Sequence, residues 1–258
     1  MQKFILQIAV MGTTILLLAG CTATATIEPA SPPVETTSAP ETAAPVSNLP
    51  AVVEKMHWFG ISSILYHGTK NIYFDPVMIE GNVPPADIIL ISHAHDDHAN
   101  LEDLKRILSP NSVLIISPNV EGFYRTNEKE IGVPAVILDE GESTEVAGIR
   151  IKAVPAFDQQ IHFRESKGMG FVVSVDGERI YFAGGTRMYP EMAEIENDVT
   201  IYPWYRNDDI LAAAAILNTQ VLIPVHAGAS GVKAFVDLYG NEITRLKIIA
   251  LDPGPYNP

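Results

Sequence analysis

Cysteine is nearly missing from the 258 residues: Cys21 is the only one. A single thiol excludes an intramolecular disulfide, a thiolate zinc cluster and a Cys–His catalytic pair within one chain. Any metal held by these residues must therefore be bound through nitrogen and oxygen. Basic residues are also scarce, with 17 Lys and Arg against 31 Asp and Glu, a formal charge of −14. So acidic a surface disfavours contact with a phosphate backbone or an anionic lipid face, and nucleic acid is not expected as a partner. Neither G-x-x-x-x-G-K-[ST] nor G-x-G-x-x-G occurs, so the two common nucleotide loops are lacking.

The longest apolar stretch is N-terminal. Residues 1–20 carry one charge, Lys3, then an apolar run ending in Leu18-Ala19-Gly20 before Cys21, too short for a membrane span. This resembles a bacterial lipoprotein signal, which implies that Cys21 receives lipid and becomes the mature N-terminus. An ordinary secretory signal or an N-terminal anchor helix is the alternative. Several acyl carbons buried at about 0.8 kcal/mol each would hold the chain at a membrane. The expected place is the bacterial cell envelope, outside the cytoplasm. Removing residues 1–20 removes Lys3 alone, so the remainder carries −15. Residues 22–50 hold six Pro, six Thr and six Ala with no Lys or Arg, and together with Cys21 read as a lipidated, disordered tether over 21–50. Extended at about 3.1 Å per residue, it reaches roughly 90 Å. Residues 51–258 are then one domain of core-forming size.

Within that domain, short β-branched and aromatic runs recur at 62–67, 71–75, 87–92, 112–117, 135–138, 149–154, 171–175, 179–183, 199–203 and 221–225. HGTKN and VDGER separate pairs of these runs as hairpin turns. Leu101, Leu104, Ile107 and Leu108 form a helical stripe that Asn100 can cap, and residues 208–218 and 231–240 read as two further helices. The fold class is α/β, and two packed sheets with helices outside suit this order better than one doubly wound sheet.

SHAHDDHAN, residues 92–100, gathers three of the seven histidines within six positions, directly after an apolar strand. Alternation in extended chain points His93 and His95 to one side, where two imidazoles can share a cation at about 2.0–2.1 Å. Asp97 and His98 lie beyond the turn and can serve a second. A polar loop of solvated histidines is the bland alternative.

The spacing of His93, His95, Asp97 and His98 resembles the H-x-H-x-D-H signature of the metallo-β-lactamase superfamily. The likeness spans about residues 55–250: YFDPV (73–77) is similar to the early strand ending in Asp-Pro, AVPAF (153–157) to the strand before the third motif, and LIPVHAG (222–228) to the last strand and its metal-binding His226. IYFAGGTR (180–187) stands where the branch containing ascorbate-phosphate lactonase-like hydrolases reads F-A-G-D-T. The resemblance implies a four-layer αββα sandwich. It also implies one or two zinc ions, with manganese or iron as substitutes. By that resemblance His93 and His95 would anchor one ion, Asp97, His98 and His226 would hold a second or orient the water, and in a mononuclear form Asp97 is the candidate catalytic base. Metal-activated water would attack an ester, lactone, amide or phosphodiester of a small molecule.

Several positions depart from the family pattern. Gly185 replaces the aspartate that bridges two metals, which leaves the repulsion between two dications poorly screened. The third-motif histidine is displaced: PAFDQQIH puts Phe157 and Asp158 there, leaving His162 to reach in or Asp158 to substitute as an oxygen ligand. The early Gly-His-Ala motif reads Gly60-Ile61-Ser62. His57 and His67 are expected to be structural, and the 202–209 loop with Trp204 and Arg206 either overlooks the site or packs. Degeneracy admits a second reading, a non-catalytic lipoprotein that binds a metal, ligand or partner, and a variant of it in which Arg187 pairs with Asp97 in place of the second cation.

Overall fold

A computed structural model describes residues 49–158 and 160–258. The signal segment, Cys21 and the tether up to residue 48 lie outside the described residues. Pro50 and Val52 are already buried, and the N–H groups of Ala51 and Val52 donate to the Glu178 carboxylate.

The first sheet follows chain order: β1 (Met56–Gly60), β2 (Ser63–His67), β3 (Asn71–Phe74), β4 (Ile88–Ile91), β5 (Val113–Ile116) and β6 (Ala135–Ile137). The β1–β2 and β2–β3 pairs are antiparallel, while β3 to β6 run parallel. Parallel neighbours need crossovers: a loop over 75–87 joins β3 to β4, α1 (Leu101–Ile107) joins β4 to β5, and α2 (Glu121–Ile131) joins β5 to β6. The second sheet repeats the plan. β7 (Ser143–Val146), β8 (Ile149–Pro155), β9 (Met169–Val175) and β10 (Glu178–Phe182) form a meander, and β11 (Val199–Pro203), β12 (Val221–Val225) and β13 (Lys247–Ile248) continue it in parallel. Here α3 (Asn207–Ile216) and α4 (Ala229–Tyr239) make the crossovers.

β4, β11 and β12 are buried along their whole length because each is covered on both faces. Between the sheets lies a core that includes Phe74 and Phe182, with ring centroids 5.2 Å apart. A second cluster joins the first sheet to α1 and α2, and a third joins the second sheet to α3 and α4. The result is the αββα sandwich. Asn100 caps α1, its side-chain oxygen accepting from the N–H groups of Glu102 and Asp103.

Each of the ten strand runs coincides with an observed strand to within about two residues. Three strands were not anticipated: β1, and the sheet-edge strands β7 and β13. Nor was α2, whose only buried residues are Tyr124 and Ile131. Two apolar anchors seven residues apart leave no stripe to see in the sequence.

Candidate metal centre

The chemistry-bearing residues all follow the C-terminal ends of strands. Asp75 comes after β3, Ser92 to His98 after β4, Asp158 after β8, Gly185 after β10, Tyr205 after β11 and His226 after β12. Parallel strands bring these ends to one rim of the sandwich.

Among the described residues three groups of potential ligands result, in each of which one donor atom per residue lies within 4.8 Å of the others. His93, His95 and His162 form the first triad and Asp97, His98 and His226 the second; in the remaining group, Asp75 with His93 and His98, the carboxylate is already taken up by Ser92 and His98. His162 Nε2 is 3.3 Å from His95 Nδ1, and His98 Nε2 is 3.2 Å from His226 Nε2. Ligands about 2.0–2.1 Å from a tetrahedral cation lie roughly 3.3–3.4 Å apart. An N–H···N hydrogen bond has a similar length, so these distances alone do not separate the two arrangements. His93 Nε2 does: it is buried and has no hydrogen-bond partner. A buried polar atom left without a partner is costly, and a cation shared with His95 and His162 would supply what it lacks.

Supporting hydrogen bonds set the tautomers. Asp75 is wholly buried, its Oδ1 accepting from the Ser92 N–H at 2.7 Å and its Oδ2 from the Ser92 hydroxyl and the His98 Nδ1–H, both at 2.6 Å. That leaves a lone pair on His98 Nε2. The Ser92 hydroxyl hydrogen being committed to Asp75, Ser92 Oγ accepts from His93 Nδ1–H at 2.8 Å, which places the His93 lone pair on Nε2 as well. Burial, reinforced by the surrounding imidazoles of His98, His162, His95 and His226, pushes the His93 pKa down and keeps the ring neutral. Burial and His162 likewise lower His95, and burial and His98 lower His226, in both cases against an upward pull from Asp97. A ligating imidazole must be neutral.

Asp158 stands behind His162 instead of coordinating beside His93. Its Oδ1 accepts the N–H groups of Gln160, Ile161 and His162, and its Oδ2 accepts His162 Nδ1–H at 3.0 Å. Burial alone would raise its pKa, but these donors bring it to about 2. With both oxygens occupied, the expectation of Asp158 as a direct oxygen ligand is corrected: its carboxylate turns the loop that carries His162 into the site.

A Cβ placed on Gly185 would lie 2.9 Å from His93 Cε1 and 3.1 Å from His162 Nε2. The missing carboxylate thus corresponds to a position wedged against the first triad. The expected pairing of Arg187 with Asp97 does not form. Arg187 lies over the Tyr205 ring at 5.0 Å, and Asp97 faces His98 and His226 at 3.8 and 3.7 Å. Tyr205, not singled out by the sequence, packs its ring 4.8 Å from that of His226. Trp204 instead packs on Phe235 of α4, and Arg206 pairs with Asp208. His57 Nε2–H donates to the Gly254 carbonyl and His67 Nδ1–H to Asn71 Oδ1, both away from the triads.

Asp75 (φ 42°) and His226 (φ 66°) occupy the left-handed region that non-glycine residues seldom adopt. Each is pinned by its own N–H, Asp75 to the Leu90 carbonyl and His226 to the Ile61 carbonyl. The Ile61 carbonyl also accepts the Trp58 indole N–H, so the β1–β2 turn, where Ile61 stands in the place of the family's Gly-His-Ala histidine, holds the His226 backbone.

The family described as Beta-lactamase superfamily domain matches residues 55–226. The chain is 29% identical over 189 residues to a metal-dependent hydrolase of Methanocorpusculum labreanum, covering 67% of this chain and 82% of that one. A metal-dependent hydrolase of Pyrococcus abyssi is 28% identical over 227 residues, 78% of this chain and 97% of the other. A crystal structure from Parabacteroides distasonis, described as that of a candidate metal-dependent hydrolase, shares the fold with a TM-score of 0.63 at 22% identity, over 77% of this chain and 92% of that chain.

Proposed function

We propose that this chain, which belongs to the beta-lactamase superfamily, is a zinc-dependent hydrolase of the bacterial cell envelope that cleaves an ester, lactone, amide or phosphodiester in a small molecule. The observation that carries the reading is the buried, partnerless Nε2 of His93 facing two more imidazoles. His93, His95 and His162 would hold one dication, and Asp97, His98 and His226 a second. An all-imidazole triad beside one with a carboxylate, neither with thiolate, suits zinc, and manganese or iron can replace it. Bound there, a dication would supply a water whose pKa lies near 7 and would polarise the bond under attack.

The protein's own residues do the rest. Asp75, through Ser92 and His98, and Asp158, through His162, hold the rings in the tautomers that present lone pairs. With only the first triad filled, the Asp97 carboxylate, 46% exposed, can take the proton from the attacking water and pass it to solvent. Tyr205 and the Ile61 carbonyl hold His226 from two sides.

The test is to strip metal with a chelator and titrate zinc calorimetrically while following hydrolysis of p-nitrophenyl esters and bis-p-nitrophenyl phosphate. At least one tight equivalent per chain should bind, and turnover should appear with it and disappear in His93→Ala. Absence of tight binding, or turnover indifferent to the chelator, contradicts the reading. Gly185 favours one alternative, a member that binds metal without turnover; saturating metal with no activity on any of these bonds would support it. The anchor is separate: mass spectrometry of the membrane-bound protein should find lipid on Cys21, and Cys21→Ser should release the chain.

A further inference from the structure

A cleft of about 510 Å³ opens beside the second triad, between the β1–β2 turn, the loop after β3, the β12–α4 loop and the C-terminal segment. Trp58, Phe59, Ile61, Met78 and Pro253 are among the apolar residues that line it. Asp97 and His226 line it too, so it is continuous with the candidate centre. The C-terminal side is tied down by the Gly254 N–H donating to the Trp58 carbonyl, and the loop after β3 by the Met78 and Ile79 N–H groups donating to Asp103. Gly60 permits Met78 to lie against β1, since a Cβ at that position would be 3.1 Å from the Met78 sulfur. Met78 itself is 52% exposed, a large apolar side chain at the mouth of the cleft.

No lysine or arginine is among the lining residues; the one charged group besides Asp97 is Glu80. A volume of this size is in the range of small-molecule sites, which take most of their affinity from apolar walls and orientation from a few polar groups. An anion entering here would shed water without meeting a cation, and would face two carboxylates. An uncharged hydrocarbon or aromatic group would meet the exposed Met78 thioether and the part-exposed Ile61, Ala227 and Pro253 instead.

From these features we infer that the cleft receives the non-reacting part of the substrate, and that this part is uncharged and apolar: the acyl or alkyl flank of an ester, lactone or amide. The assignment of a substrate flank rests on the hydrolase reading; the binding preference rests on the cleft alone. Any cation at the triads would attract negative charge only to the reacting end, and Glu80, which belongs to neither triad, keeps its charge.

Two probes with the same aromatic body separate the possibilities: neutral N-phenyl-1-naphthylamine and its sulfonate, 8-anilinonaphthalene-1-sulfonate. Fluorescence titration of the metal-free full chain should give a Kd for the sulfonate at least tenfold weaker. Met78→Glu should weaken the neutral probe about tenfold, and Glu80→Lys should narrow the gap between the probes threefold or more. In the zinc-loaded protein, p-nitrophenyl hexanoate should exceed mono-p-nitrophenyl adipate at least tenfold in kcat/KM. Equal or tighter binding of the sulfonate, or a neutral probe indifferent to Met78→Glu, overturns the inference. Should zinc uptake and turnover both fail while the probe preference holds, the hydrolase reading falls and the apolar, anion-excluding cleft stands.

Discussion

Replacing Asp75 by Asn removes one charge and alters little volume, yet it strikes the hydrogen bonds that set the His98 tautomer. The carboxylate accepts three hydrogen bonds of 2.6–2.7 Å with no solvent exposure. An amide keeps one acceptor oxygen, for the Ser92 N–H, and turns its NH2 toward Ser92 Oγ and His98 Nδ1. His98 can answer only by accepting at Nδ1, which moves its proton to Nε2 and removes a ligand from the second triad. Losing two buried acceptor contacts costs about 2–4 kcal/mol of stability. Loss of such an outer partner lowers metal affinity about 10–100-fold. Urea unfolding measures the first quantity, and zinc competition against a chromophoric chelator the second. Nitrogen-15 spectra of the histidine rings report the tautomer directly. Unchanged affinity for every bound equivalent, with His98 still protonated at Nδ1, would refute the reasoning.

Gly185→Asp should tighten the second zinc equivalent at least tenfold by screening two dications. It should also cost the metal-free protein about 1 kcal/mol, since the His93 and His162 rings must yield to the new Cβ; calorimetry showing no change in uptake would count against the placement of Gly185. Phe182→Ala should destabilise by about 3–5 kcal/mol because the ring is buried between the sheets against Phe74, and a loss below about 1 kcal/mol in urea unfolding would contradict that packing. Asp176 is held well below the ordinary carboxylate range by Lys55, then by the Thr69 and Tyr66 hydroxyls. Because its folded pKa is lowered, its contribution is complete above about pH 4 and is lost as pH falls through the folded value. Asp176→Asn should therefore cost about 1–2 kcal/mol at pH 7, with the gap shrinking below pH 4 in unfolding curves; a pH-independent gap would show the charge to be irrelevant.

The strands were legible where both faces or one whole face is buried, as in β4 and β12, because continuous apolar runs survive reading without a structure. β7 and β13 were not, being short, partly exposed edge strands whose place is set by pairing with β8 and β12. In the site, the 93–98 cluster announces itself because ligands must be close in space and these are also close in sequence. Asp75 and Ser92 act through other residues, and the Asp-Pro at the end of β3 was the one trace of the former. The position of His162 depends on an Asp158 turn that takes three backbone N–H groups, a tertiary arrangement no periodicity reveals. Arg187 defeated the charge-pairing expectation because Tyr205 offers it a ring face.

Anomalous diffraction at the zinc edge, from crystals of the zinc-loaded chain, addresses the convergence of distant imidazoles most directly. The account predicts a peak within bonding distance of His93 Nε2 and His162 Nε2, with a second, weaker peak between Asp97, His98 and His226. Zinc found only on surface carboxylates, with His93 Nε2 still without a partner, would contradict it.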